Sequence, residues 1–194
     1  MNNTILWLDT ETTGVDYHKN GLIQISAIAE REGKILGRYN EYIRPFAGVL
    51  VSRDALAKNK IDIDELRTNP KYVPYSQAHE NFTNFLGQYV DKYDKSQKYI
   101  IAGKKVDFDI QFMRQLFDKC DDQYYGSWFI YPSIDIESII AEMVLFDGLI
   151  LKDYKLETIC KSFNIEIKEC HNSIDDIEAT RKLFWKLKGV NDVE

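Results

Sequence analysis

Cysteine is scarce and badly spaced for structural chemistry. There are three, Cys120, Cys160 and Cys170, an odd number with no Cys-x-x-Cys pair. A disulfide framework and a zinc knuckle are both disfavoured, and a reducing compartment is expected. Long apolar runs are missing too, so no segment reads as a membrane span. The first ten residues, MNNTILWLDT, lack the basic-then-apolar layout of a secretion signal, which predicts a cytoplasmic protein. Positive charge is in deficit. The formal net charge is −6, which excludes a protein that coats nucleic acid by bulk electrostatics but not one with a local basic patch. Repeats and low-complexity tracts are absent. Only three histidines occur (His18, His79 and His171), so a general base has few candidates.

What is present suits a globular domain. Hydrophobic residues make up 44% of the 194 and charged residues 29%, enough to build a core in one domain spanning residues 1–194. Residues 4–9 are almost continuously apolar and read as a central strand. Residues 22–30, LIQISAIAE, read as a second strand with Ile23, Ile25, Ala27 and Ala29 on one face. A turn at Gly33 and Lys34 leads to a third strand over 35–43, ended by Pro45. Short helices are predicted around 52–58 and 62–66. A longer one begins near Pro74, with Ala78, Phe82, Phe85, Leu86 and Tyr89 at helical spacing. Residues 99–103 form a short buried strand, followed by a helix carrying Phe108, Phe112 and Leu116. Another strand lies within 129–135, with helices over 136–146 and 156–163, the latter stopped by Asn164. The last helix starts near Ser173 and turns Ile174, Ile177, Phe184 and Leu187 inward. This order predicts an α/β fold: a mixed sheet with an antiparallel three-stranded N-terminal meander, covered by helices.

Three short stretches carry chemistry. In ILWLDTETTG, Asp9 and Glu11 stand two apart on a strand and share a face. Paired carboxylates repel unless a hard cation lies between them, although strand ends leaving for solvent also collect acids. Gly14 permits a positive φ, with neighbouring N–H groups free to meet an anion. In VDFDIQFM, Asp109 sits in the first turn of a helix, where Asp107 would satisfy the helix dipole equally well. In HNSIDD, His171 precedes a helix, and Ser173 with Asp176 fits a capping box, a purely structural use of that aspartate.

In this order the three stretches resemble the DEDDh family of 3′→5′ exonucleases, the DnaQ-like group. The likeness extends from Ile5 to about Leu187, with IDIESIIAEM and KLETICKSFNIEI matching intervening segments. It implies an RNase H-like fold and release of nucleoside 5′-monophosphates from the 3′ end of single-stranded DNA or RNA. It further implies that Asp9, Glu11, Asp109 and Asp176 hold two Mg²⁺, with Mn²⁺ able to substitute, and that His171 is the general base. Thr12, Thr13, Gly14, Val15 and Phe108 would meet the terminal nucleotide. Lys104 and Lys105 stand where relatives often carry His-Asn, and Gln24 where they often carry Glu. Lys104, Lys105, Lys152 and Lys155 are candidates to line the strand's approach. The partners expected are a single strand with a free 3′ end and a replication or repair protein. The competing expectations are a non-catalytic nucleic-acid-binding or interaction module on the same fold, an acidic-surface interaction protein, and an internally cutting nuclease.

Overall fold

The computed structural model describes residues 4–59, 61–167 and 172–190. Strand β1 (Thr4–Thr12) lies near the middle of the sheet, antiparallel to β2 (Leu22–Arg31), which is antiparallel to β3 (Lys34–Ile43). The meander is therefore as expected. Glu32 and Gly33 turn β2 into β3 with φ of 52° and 78°, two left-handed residues in the kind of turn whose twist matches the strands it joins. On its other side β1 runs parallel to β5 (Tyr99–Gly103), and β5 parallel to β6 (Ile134–Asp135). A two-residue β4 (Tyr72–Val73) lies beside β3, so the order is β4-β3-β2-β1-β5-β6.

The first strand runs past Asp9 to Thr12, so both acids of ILWLDTETTG are held in extended backbone. The segment 129–135 is less regular than its composition suggests. Phe129 forms a single bridge to Tyr99, Pro132 supplies no ladder donor, and only Ile134 and Asp135 pair as a strand. A four-residue helix, written α5 below (Tyr125–Trp128), precedes it and was not foreseen.

Helices α3 (Tyr75–Leu86) and α4 (Val106–Lys119) cover one face, where Leu6, Leu8, Ile25, Phe82, Phe112 and Leu116 interdigitate. Helices α6 (Ile136–Phe146), α7 (Leu156–Ser162) and α8 (Ser173–Leu187) cover the other, over Trp7, Ile28, Ile140, Ile159 and Ile177. Fully burying such side chains contributes about 1.5–3 kcal/mol each, which fixes β1 and β2 between two apolar layers. Asn164 stops the chain after α7 with φ of 52°, as its side chain allows.

One expectation needs correction. Ile25, Ala27 and Ala29 share one core, but Ile23 belongs to a satellite cluster with Leu56, Leu66 and Tyr72. The cause is a bulge: Glu11 opposes Gln24 and Thr12 opposes Leu22, leaving Ile23 with no direct partner on β1. That cluster lies beneath α1 (Arg53–Lys58) and α2 (Ile63–Thr68). Helix α8 turns Ile174, Ile177, Phe184 and Leu187 toward the core as expected, the first and last only partly buried. It also buries Arg181 completely, against a completely buried Glu30.

Candidate active site

The site forms where the C-terminal end of β1 meets the first turns of α4 and α8. Strand alternation turns Asp9 and Glu11 to the α8 side, the side on which Trp7 packs. Thr10 faces α4. Its N–H and its hydroxyl both donate to Oδ1 of Asp109, at 2.8 and 2.7 Å. Asp109 is 3% exposed, whereas Asp107 lies out on the exposed side of the helix. The choice left open by VDFDIQFM is thereby made. Helix α4 can start so close to β1 because residue 103 is glycine: a Cβ there would stand 2.7 Å from the Leu8 carbonyl oxygen.

Helix α8 brings Asp176 into the cleft that holds Asp9. The capping box does not form through Ser173. Asn172 is the cap, its side chain accepting from the Ile174 N–H at 3.3 Å. Ser173 is buried with its Oγ 2.6 Å from Oγ of Ser26, the register partner of Asp9. Ser26 donates to Oδ1 of Asn40, which also accepts from Gln24, so Ser173 is the donor to Ser26. This chain of polar groups sets the start of α8 against β2 and β3.

The acids feel one another. Burial, then Asp109, Glu11 and Asp176, push the Asp9 carboxyl well above the ordinary range, with Lys58 opposing. Burial raises Glu11; Lys58 and a hydrogen bond from Asn59 lower it, and Asp176 raises it. Burial pushes Asp109 up to about 7 despite the Thr10 hydrogen bonds. As the side chains stand, no group of three or more Asp, Glu, His or Cys among the described residues is gathered closely enough to hold a metal ion. The cluster is open, all-oxygen, half-buried apart from the buried Asp109, and mutually repelling, which is the donor chemistry that fits a hard divalent cation.

Two clefts flank it. One, of about 390 Å³, is lined by Asp9, Asp176, Lys58, Lys104 and Lys155 among others. The second, of about 510 Å³, is lined by Glu11, Thr12, Gly14, Val15, Asn20 and Phe108 among others. Val15 is 85% exposed at its rim, and Phe108 packs on Phe112 with ring centroids 4.9 Å apart.

Other predicted residues fall elsewhere. Thr13 has no exposed surface; its hydroxyl donates to the Leu50 carbonyl and accepts from the Gly21 N–H. Gly14 does not use a positive φ. Glycine is required there because a Cβ would lie 2.6 Å from the Asn20 amide. Asn20 in turn accepts from Asp16 N–H and donates to the Leu50 carbonyl, shaping the loop. Lys105 starts α4 with φ of 57°, and its 66%-exposed side chain points 3.7 Å from Glu137 instead of lining either cleft. Lys152 lines neither cleft, whereas Lys104 and Lys155 line the first. His171 lies outside the described residues. Thr10, Lys58, Asn59 and the Ser26–Ser173 contact were missed. Alternation could have flagged Thr10, but nothing local ties Lys58 or Asn59 to a strand far earlier in the chain.

The exonuclease model of the RNase_T family matches residues 6–184. The chain is 25% identical over 189 residues to a PolC-type DNA polymerase III of Oceanobacillus iheyensis, covering 95% of this chain and 11% of that protein. It is 26% identical over 187 residues to the DNA polymerase III subunit epsilon of Aquifex aeolicus, covering 96% of this chain and 81% of that one. A 3′-5′ exonuclease DinG of Staphylococcus aureus is 25% identical over 183 residues, covering 91% of this chain and 17% of its own. In architecture the chain is similar to E. coli Exonuclease I in complex with a dT13 oligonucleotide. The TM-score is 0.79 at 20% identity, covering 96% of this chain and 41% of that one. This likeness shows an RNase H-like exonuclease fold. With the family model spanning both faces of the sheet and all four acids, the chain belongs to the DnaQ-like RNase_T exonuclease family.

Proposed function

We propose that this protein is a 3′→5′ exonuclease that releases nucleoside 5′-monophosphates from single-stranded DNA or RNA. The observation that carries the reading is the convergence of Asp9, Glu11, Asp109 and Asp176 from three elements into one mutually repelling cluster between two open clefts. Those four carboxylates would hold two Mg²⁺, or Mn²⁺. When bound, such ions supply charge stabilisation at the phosphate and make water acidic enough to attack near neutral pH. A divalent metal suits the family more broadly, one solved relative being a zinc-bound Exonuclease I–single-strand complex.

The chain's own residues do the rest. Thr10 orients Asp109 through two hydrogen bonds to one oxygen. Thr12, Gly14, Val15 and Phe108 form a wall for the terminal nucleotide. Thr13 acts from behind, tying that wall to Leu50. His171 is the residue we assign to take the proton from the attacking water; an unperturbed imidazole near 6.5 suits this at neutral pH. Residues 1–194 work as one exonuclease domain. The named relatives suggest a replication or repair protein as partner, working in the cytoplasm. No helix among the described residues is long and apolar enough to cross a membrane.

The test is release of mononucleotides from 5′-labelled DNA and RNA, single- and double-stranded, with free or blocked 3′ ends. Stepwise shortening in Mg²⁺ or Mn²⁺, its loss in chelator, and stalling at a blocked 3′ end are expected. No metal-dependent shortening of any strand would overturn the reading in favour of a binding module. Cleavage that ignores a 3′ block would make the enzyme an internal cutter.

A further inference from the structure

Lys58 stands apart from the other cations near the site. Among the described residues it alone lines both clefts. The sequence pointed to other lysines, of which Lys155 lines the first cleft only and Lys152 neither. Lys104 and Lys105 lie 3.3 and 3.7 Å from the Glu137 carboxylate, which answers part of their charge. Lys58 has no ion pair within contact distance among the described residues, not even with Asp54 one helical turn earlier. The acids that sense it are Asp9 and Glu11.

Its helix is also held in place. The Ser52 N–H at the start of α1 donates to the Thr13 carbonyl at 2.7 Å. Asn59, just past its end, donates to the Thr12 carbonyl at 3.4 Å. Leu56 is buried beneath. Both ends of α1 are thus fastened to the two residues that follow Glu11, and Lys58 is carried on a short, braced element. A lysine needed only for solubility requires no such bracing. A strand that reaches from the nucleotide wall of one cleft into the other must pass this ammonium. It carries a phosphate at every step, into a site whose own charge is strongly negative.

We propose that Lys58 is a phosphate-binding residue of the substrate path, gripping the backbone of the single strand where it crosses from one cleft to the other. The proposal rests on the exonuclease reading above and adds to it the residue that keeps a polyanion beside four carboxylates. An ammonium is a compact point charge with three donors, suited to a phosphate whose orientation changes as the strand advances.

The experiment measures binding of fluorescein-labelled dT12 and rU12 in chelator, across a salt series, by wild type, Lys58→Ala and Lys58→Arg. Mn²⁺ binding and melting temperature are read on the same proteins. Lys58→Ala should weaken the preferred oligonucleotide about ten-fold. It should also flatten the plot of log affinity against log salt by about 0.7, the value for one phosphate on a single strand. Lys58→Arg should keep both. Mn²⁺ should bind Lys58→Ala as tightly as wild type or more so, because a positive charge beside Asp9 and Glu11 has been removed. Unchanged affinity and salt slope in Lys58→Ala would overturn the proposal. So would parallel weakening of oligonucleotide and Mn²⁺ with a lowered melting temperature, which is the signature of a structural lysine. If wild type neither binds nor shortens either strand, the exonuclease reading itself falls and the proposal with it. Shortening by wild type with an indifferent Lys58→Ala removes the proposal alone.

Discussion

Carboxylates stand toward opposite ends of the paired strands β1 and β2, and the two places treat them in opposite ways. Glu30, near the end of β2, is fully buried, yet every direction around it supplies a donor. Arg181 Nε reaches it at 2.5 Å, Trp7 Nε1 at 2.9 Å and Trp185 Nε1 at 2.5 Å, and Arg181 also donates to the Gly33 carbonyl at 3.1 Å. At the other end of the sheet Asp9, Glu11, Asp109 and Asp176 face each other, with Lys58 as the cation that tempers them. Helix α8 serves both places, giving Arg181 to the first and Asp176 to the second. The first arrangement answers the Glu30 charge within the chain and holds the fold. Among the described residues the acids of the second outnumber the cation that tempers them, which raises the cost of folding and prepares a place for cations.

The contrast between the two regions is greatest at Asp9. Asp9→Asn should lower exonuclease turnover about a thousand-fold or more, since several kcal/mol of charge stabilisation are lost. Its urea midpoint in chelator should stay the same or rise, because one repelling charge is gone. A variant that keeps wild-type turnover would end the site assignment. Arg181→Met should do the reverse and strip about 3–5 kcal/mol of stability, leaving the buried Glu30 with two indole donors but no counter-charge. Adding Glu30→Gln to it should restore part of that loss, and a double variant as unstable as the single one would contradict this account of the pair.

Metal should move the two regions unequally. At a hundred times its dissociation constant, Mn²⁺ should stabilise wild type by about 2.7 kcal/mol, and Asp9→Asn by far less, as followed by thermal melts.

Acidity distinguishes them next. Burial holds Asp109 at about 7, above its unfolded value near 3.9. The folded protein then keeps a proton that the unfolded chain has lost, so in chelator this contribution to stability falls as pH rises from about 4 to about 7. Asp9 and Glu11, also raised, act in the same sense. Urea melts from pH 4.5 to 7.5 should show the decline, and Mn²⁺ or Asp109→Asn should flatten it. A slope unchanged in Asp109→Asn would show that the decline arises elsewhere. The smallest effect is expected at the hinge of the two regions. Ser173→Ala should lower stability by about 1 kcal/mol, the net worth of one buried hydrogen bond.

Much of this fold could be read along the chain. The apolar run into Asp9 and the period-two pattern of β2 placed the meander, because strands sandwiched between helices must be apolar on both faces. Helical spacing placed α3, α4 and α6. The short elements were harder to read. β4, β6 and α5 carry too few residues for a period to declare itself, and they exist because neighbouring strands offer them partners. At the site, Asp9 and Glu11 were legible from alternation. Asp109 over Asp107 was not, since both satisfy a helix start equally. The Thr10 hydrogen bonds decide between them.

The sequence by itself determined the layering of apolar residues, the acidic end of the first strand and the family to which the chain belongs, since these are written in residue types and local spacing. Only the tertiary structure decided that Ser173 bonds Ser26 instead of capping for Asp176, that Gly14 is small for Asn20's sake, and that α1 holds Lys58 between the clefts. Each depends on groups far apart in the chain being brought within a few ångströms, and local sequence patterns do not encode that proximity.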